Sequence, residues 1–535
     1  MPPETTPPPP SAASSPPSSG GVHHLEQQRR DNRDAVAAMG KLPYGRRTDG
    51  LLTLADAKLK HSDAADAEVA AAGKTPPEGF VDPRARVRVA GRVMLNRDNG
   101  KLIWMTLRDH TGDLQVAISQ RDVDEASFAA AKKIDLGDLV IVSGALMKTK
   151  TGEITVWAGG AGAGGGAVEP ASKCLVPPPE KHAGLHDVEI RYRQRYVDLW
   201  ATPETMQVFQ LRSKIVASMR RFLEERGFIE VETPMLQIMA GGAAARPFVT
   251  HMNALDLPLY MRIAPELYLK RLLVGGMPKV FEINRNFRNE GMDKNHNPEF
   301  TMLELYQAYG DCQTVMEVTE NLVREAARTV AGARGVSGLV LPFGELSIDY
   351  GSPFARVMYA ELFARGCGFE MGDTARARKE AVERRVLKAE DAAKLDDAFI
   401  INKLFEEFGE KMVDPAKPTF ICEYPAAISP LTRPSATNPV VAERADLFIA
   451  HMEIGPHYTE LNDPDVQTAR FREQLAGLDE EESTMRNFDA DFIHALKVGM
   501  PPAGGLGVGI DRITMLLTNQ RTIRDVVLFP LMRPE

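Results

Sequence analysis

The stretch from Val280 to Tyr309, VFEINRNFRNEGMDKNHNPEFTMLELYQAY, gathers side chains that can do chemistry. It reads as two strands joined by a polar loop. With the period of two that a strand imposes, Glu282, Asn284, Asn286 and Arg288 fall on one face of the first strand, and Phe281, Ile283 and Phe287 on the other. On the second, Phe300, Met302, Glu304 and Tyr306 share a face opposite Thr301, Leu303 and Leu305. A strand pair with one polar face ordinarily turns that face to water. Here the face carries Glu, Asn, Arg and Tyr, and the loop adds Arg288-Asn289-Glu290 and His296-Asn297. Convergent groups of this kind suit a small charged ligand better than bulk solvent. Further on, GLGVGIDR (Gly505–Arg512) spaces glycines along a strand before an arginine that opens an apolar helix. The glycines let a ligand approach the backbone, although the glycine pattern alone is common turn chemistry.

These segments need a scaffold. At 535 residues the chain is long enough for two or three domains. No apolar run approaches the roughly 18 residues of a membrane span, so no membrane partner is expected. The net charge of −9 leaves any nucleic-acid contact to local basic patches. Cys174, Cys312, Cys367 and Cys422 are scattered without a CxxC pair, which points to a reduced, cytoplasmic setting and no structural zinc.

Along the chain, residues 1–24 are dominated by Pro, Ser, Thr, Ala and Gly, a tail expected to be disordered. A helical segment over 25–80 follows, with a charged helix at Leu25–Met39 and an Ala-rich helix closed by Gly73. Over 81–176, five strand signals with Gly turns and one short helix, Glu125–Lys132, predict a β-barrel of the OB type. Between Arg84 and Arg108 seven basic residues face one acid, Asp98, with Trp104 among them. That pattern fits a stacking platform for single-stranded bases; a solvated strand face with a core tryptophan is the alternative. Gly159–Gly166 reads as a surface insertion, and 177–190 as a linker. From 191 to 535 helices and strands mix. Val208, Leu211, Ile215, Met219 and Phe222 have helical spacing that Gly227 stops, and Pro234 makes FIEVETPML an edge or irregular strand. The turns and helices of Ala375–Met412 read as an insertion. The expected class is α+β and multidomain: a five-stranded OB barrel, then a mostly antiparallel sheet flanked by helices.

FRNEG followed by HNPEFTMLELY resembles motif 2 of class II aminoacyl-tRNA synthetases, in the form carried by their lysyl branch. RYRQRYVDL, GGAAARPF, RIAPELYLKRLLVGG, TELND and GLGVGIDR match the same family in order, and the likeness runs from about Leu25 to the C-terminus. It implies activation of L-lysine by ATP with Mg²⁺, transfer to tRNA(Lys), an OB domain that binds the anticodon, and a homodimer built on the segment around Pro234.

Activation is attack of an already ionised carboxylate on the α-phosphorus, so no general base is needed. The work is positioning two anions and neutralising the charge that grows. The resemblance implies that Arg288 bridges the α-phosphate and the amino-acid carboxylate, and that Arg512 meets the γ-phosphate. Glu290, His296, Asn297, Phe300 and Glu453 would complete the ATP site, with adenine between Phe300 and Arg512. Gly242, Glu266, Arg288, Glu304, Tyr306, Tyr458 and Glu460 would hold lysine. Asp446 and Glu453 fall where the family holds Mg²⁺. Their parity differs along one straight strand, and a hairpin turning near Ile449-Ala450 would set them opposite one another. In the barrel, Trp104 takes the place of an aromatic that stacks the central anticodon base, with Arg97, Gln115 and Glu153 as further contacts. The chief departure is Pro456-His457, where the family carries Asn-Gly or Asn-Ala. That Asn helps hold the substrate carboxylate; proline has no donor, and His457 is the candidate to donate instead. Two rivals stay open: a ligase on the same scaffold for a lysine analogue or serving as a drug-tolerant second copy, favoured only by Pro456-His457, and a non-catalytic RNA-binding relative.

Overall fold

The computed structural model describes residues 24–73, 77–159, 167–178, 185, 187–243, 245–475 and 489–534. The expected tail (apart from His24), nearly all of the Gly-rich insertion and half of the linker lie outside them. The chain divides into two compact units, Met1–Met206 and Gln207–Glu535.

The first unit is built on β1 (Arg86–Asp98), β2 (Leu102–Asp109), β3 (Gly112–Ser119), β4 (Leu139–Lys148), β5 (Ile154–Ala158) and β6 (Val168–Ser172). Their order is β1-β2-β3-β5-β4-β6, and β4 pairs back onto β1 from Arg86 opposite Ala145 to Arg92 opposite Leu139. That return closes a five-stranded barrel and removes its open edges. Alternation decides what goes inside: Val87, Val89 and Val93 of β1 and Ile103, Met105 and Leu107 of β2 are buried in one core. The helix Glu125–Ala131, capped by Asp124, packs Phe128 into it. Beyond the five expected strands, β6 resumes pairing with β4 after the Gly-rich stretch. Before the barrel stand the helices His24–Ala38, Leu54–Leu59 and Asp63–Ala72, the last ended by Gly73 at φ +73°.

The second unit contains β7 (Ile229–Glu230), β8 (Leu236–Gln237), β9 (Val249–Met252), β10 (Leu257–Met261), β11 (Lys279–Phe287), β12 (Glu299–Ala308), β13 (Val340–Phe343), β14 (Leu346–Asp349), β15 (Ala355–Met358), β16 (Thr419–Cys422), β17 (Arg444–Ile449), β18 (Met452–Thr459) and β19 (Ala503–Gly509). Eight of these form one sheet in the order β15-β16-β17-β18-β19-β12-β11-β7. The central pairings are antiparallel, and only the two edge pairs, β15–β16 and β11–β7, run parallel. Pro234 divides FIEVETPML. β7 joins the large sheet, while β8 joins β9 and β10 in a separate three-stranded one.

One face of the large sheet is apolar. Phe281, Leu303, Leu305, Leu447, Leu506 and Val508 meet the helices Pro203–Glu224 and Cys312–Arg334, whose Ile215, Met219, Phe222, Leu322 and Val323 share the same core. Asp311 and Thr314 close a capping box at the start of the second helix. Residues 374–412 form short helices on a core of their own around Phe363, Ile400 and Phe405. No helix among the described residues is long and apolar enough to cross a membrane. With helices covering one face, the polar face expected from β11 and β12 is left for a ligand.

Candidate active site

The β11–β12 hairpin sets Glu282 opposite Glu304, Asn284 opposite Met302 and Asn286 opposite Phe300. Two buried networks hold it. Arg262 pairs with Glu282 at 2.7 Å and donates Nε to the Arg285 carbonyl at 2.8 Å, while Thr233 donates to the second Glu282 oxygen at 2.7 Å. Asp511 accepts the Thr301 amide at 2.7 Å and meets Arg212 at 2.6 Å. The second network ties the start of the helix Ile510–Thr518 to β12, and Arg512 is thereby fixed at the rim of a cavity of about 380 Å³.

Arg288, Glu290, His296, Asn297, Phe300, Glu453 and Arg512 all line one end of that cavity. The Arg288 guanidinium lies 5.2 Å from the Phe300 ring centroid, and its buried Nε has no hydrogen-bond partner. An orphaned cationic donor at a cavity wall suits an anionic ligand. Arg512 Nη2 lies 2.9 Å from His296 Nε2, whose Nδ1 is 2.8 Å from Asp293. Nδ1–H therefore donates to Asp293 and Nε2 accepts from Arg512, which fixes the tautomer. Arg512 also donates to the Glu453 carbonyl. Asp293 opposes its own burial with the backbone N–H groups of Asn295 and His296 and stays below the usual carboxylate range. Asp293 is a site residue beyond those expected from the sequence, although Asp and His three apart in the loop is a readable sign.

The two acids expected at a metal do not pair across their hairpin. The β17–β18 hairpin does turn at Ala450 and His451, both with positive φ. Its register, however, sets Asp446 opposite Pro456 and Glu453 opposite Phe448, not the two acids opposite one another. A bulge between those pairs leaves Ile454 as the extra residue of β18. Such an insertion reverses strand parity, and it is this step that brings Glu453 to the face of Asp446. Both Asp446 oxygens are taken by Arg444, at 2.9 and 2.6 Å. Glu453, whose side chain is open to the cavity, is pushed up by the protein packed around it and by Asp446, against the pull of Arg512. Glu410, not foreseen, is pushed up to about 8 by burial and by Glu453. Among the described residues no three ligating side chains form a metal cage. An oxygen donor held up by neighbouring acids nonetheless fits a hard cation that takes its remaining ligands from phosphates and water.

At the other end stand Gly242, Glu266, Glu304, Tyr306 and Tyr458. Glu304 is pushed up to about 8, first by burial and then by Glu266, with Arg288 opposing. Its nearest donor is the Tyr306 hydroxyl at 3.4 Å, and among the described residues it has no ion-pair partner. Gly242 has φ +86°, and a Cβ there would lie 3.1 Å from that of Glu266. Glu460 does not line the cavity. It is fully buried behind Gly505, where a Cβ would fall 1.9 Å from its Oε1, and its Oε2 lies 2.5 Å from Lys270.

Pro456 lines the cavity and His457 does not. Alternation turns His457 into the core, where Nδ1 is 3.1 Å from the Ala445 carbonyl and Nε2 is 2.7 Å from Thr319 Oγ1. Burial lowers its pKa to about 4. The expected donation by His457 to a substrate carboxylate is overturned by this placement.

On the barrel, Arg97, Trp104, Ala117 and Trp157 stand in one row across β1, β2, β3 and β5. Gln115, one step along the same face, accepts from Thr155 at 2.9 Å, and Glu153 is exposed before β5. Trp157 was not singled out in the sequence. Its ring meets Trp104 edge to face, with centroids 5.5 Å apart.

Comparison with known proteins agrees with both halves. The family described as tRNA synthetases class II (D, K and N) matches residues 187–533, and the OB-fold nucleic acid binding domain matches residues 87–160. The chain is 46% identical over 460 residues to a lysine–tRNA ligase of Pelotomaculum thermopropionicum, covering 85% of this chain and 88% of that protein. It is 47% identical over 459 residues to one of Magnetococcus marinus, covering 84% and 88%. With one of Escherichia coli K12 it shares 45% over 455 residues, covering 84% and 86%.

Proposed function

The chain belongs to the class II tRNA synthetases, and from that membership we propose that it is a lysine–tRNA ligase: it activates L-lysine with ATP and transfers it to the 3′ end of tRNA(Lys). The observation that carries the reading is the two-ended cavity, with Arg288, Glu453 and Arg512 at one end and Glu266, Glu304 and Tyr306 at the other. Its cationic groups suit a triphosphate, and its unpaired acid suits an ammonium-bearing amino acid.

In the first step a carboxylate oxygen of lysine bonds to the α-phosphorus of ATP while the bond to the β-phosphate bridging oxygen breaks, giving lysyl-adenylate and pyrophosphate. Arg288 would hold the carboxylate and α-phosphate together and offset the charge that develops there. Arg512, oriented by His296 and Asp293, would hold the γ-phosphate, with Phe300 stacked on adenine and Glu290 and Asn297 at its edge. Glu453 would hold Mg²⁺, with Asp446 behind it on Arg444; when bound, the ion adds neutralising charge to the phosphates. In the second step a terminal ribose hydroxyl of tRNA attacks the carbonyl carbon and AMP leaves. Glu304, Tyr306 and Tyr458 would form the side-chain end, with Glu460 behind them on Lys270, and Glu266 with the Gly242 backbone the α-amino end. The face of Arg97, Trp104, Gln115 and Glu153 would take the anticodon. A homodimer is supported by exposed apolar residues around Pro234, namely Ile229, Leu236, Ile238 and Val249, and the scattered free cysteines fit the cytoplasm.

ATP–pyrophosphate exchange with each of the twenty amino acids and ornithine tests the reading. Exchange with lysine well above all others is expected. Preference for ornithine would favour the analogue-ligase alternative, and no exchange with any of them would overturn the enzyme reading.

A further inference from the structure

Lys270 has no part in the chemistry described so far, yet it is fully buried beside the amino-acid end. It lies in the helix Glu266–Val274, with Nζ 2.6 Å from Glu266 Oε1 on its own helix and 2.5 Å from Glu460 Oε2. Neither Glu460 oxygen has an aligned hydrogen bond, so the Lys270 charge is its compensation. From β12 come Glu304 and Tyr306, whose ring centroid is 6.0 Å from Nζ. From β18 and just beyond it come Tyr458 and Glu460. The helix Ala490–Gly499 adds apolar Phe492 and Leu496, and the acid before it, Asp489, is paired with Arg271. A lone ammonium in such a place would shed its proton. Burial pulls that way, and Glu266 and Glu460 more than reverse it, so Lys270 stays a cation. Glu460 is pushed up to about 7 by burial, with Lys270 pulling it down.

We propose that Lys270 is a positioning residue of the amino-acid site, which fixes Glu266 and Glu460 and leaves the three acids with the two net negative charges that a diamino acid's two ammonium groups match. The acids are Glu266, Glu304 and Glu460; Lys270 cancels one. Without it, the complex with lysine would bury an extra negative charge or keep a proton on an acid that should contact substrate. The proposal rests on the reading that lysine is the substrate.

The test is Lys270→Met in the full chain, assayed by lysine-dependent pyrophosphate exchange from pH 6.5 to 9.5 beside the native protein. Losing a contact to a charged group should raise KM for lysine about tenfold at neutral pH. KM for ATP, set at the far end of the cavity, should stay within about twofold. The pH at which KM for lysine levels off should move up by about one unit, because the remaining acids lose their nearest cation. An unchanged KM for lysine overturns the proposal, as does a KM raised by one factor at every pH, the mark of a merely structural role. Should this variant not fold, Lys270→Met with Glu460→Gln removes both charges. It is expected to fold, with KM for lysine raised and the levelling pH back at the native value; a levelling pH above the native one overturns the proposal. Failure of the native protein to use lysine would instead sink the functional reading on which the proposal stands.

Discussion

Arg288 and Glu304 line one cavity and are both incompletely partnered, which makes each a sharp probe. Arg288 keeps a buried Nε without an acceptor beside Phe300. Removing one fixed cation from a developing charge costs about 3–4 kcal/mol, so Arg288→Ala should depress lysine-dependent exchange several hundredfold while tRNA binding persists. Near-normal exchange in that variant would place the chemistry elsewhere. Glu304 is protonated in the empty cavity below about 8, whereas a bound ammonium needs it ionised. Lysine binding should therefore release a proton, and affinity should rise as pH climbs from 6 towards 8 and then flatten. Stability runs the opposite way: a carboxyl raised from 4.5 to about 8 favours the folded state at low pH, and that contribution is lost as pH rises through this window. Calorimetry in buffers of different ionisation enthalpy reads the proton directly, and Glu304→Gln should abolish its release from this site. Native binding that takes up no part in proton exchange would contradict the assignment.

Strand β18 shows how much one element decides. Its alternation sends Pro456 to the cavity and His457 to the core, so His457 cannot stand in for a missing donor. Restoring one with Pro456→Asn should lower KM for lysine roughly ten- to a hundredfold, the worth of about 1.5–3 kcal/mol for a hydrogen bond to a charged group. His457→Ala should lower thermal stability and leave KM for lysine unchanged. A KM that worsens on His457→Ala without loss of stability would return this side chain to the substrate. The motif-2 hairpin was legible in the sequence because Phe281, Leu303 and Leu305 alternate with acids and amides, and period two needs no long-range information. The barrel was legible from its spaced strands and turns. What was not legible depended on register. The bulge beside Ile454 leaves no mark in composition, and the parity of Asp446 and Glu453 follows from it alone. Likewise β6 and the pairing of Lys270 with Glu460, 190 residues away, come from contacts that only the folded chain makes.

At the scale of the whole molecule, RNA docking is expected of the first compact unit and amino-acid activation of the second. Base stacking is worth about 1–3 kcal/mol, so Trp104→Ala should weaken tRNA binding by that amount and leave exchange without tRNA untouched. Trp157→Ala should weaken it less, by loosening the ring that Trp104 leans on. Equal loss of RNA binding and exchange in either variant would mark these rings as structural core. The edge-to-face pair has a practical consequence for observation. The chain's three tryptophans are Trp104, Trp157 and Trp200, and all precede Gln207, where the second compact unit begins. The protein thus carries its own optical label on one half only: near-ultraviolet emission should dim or shift when tRNA arrives and stay silent to ATP and lysine, so that RNA docking can be timed in a stopped-flow cell while the adenylate forms unseen.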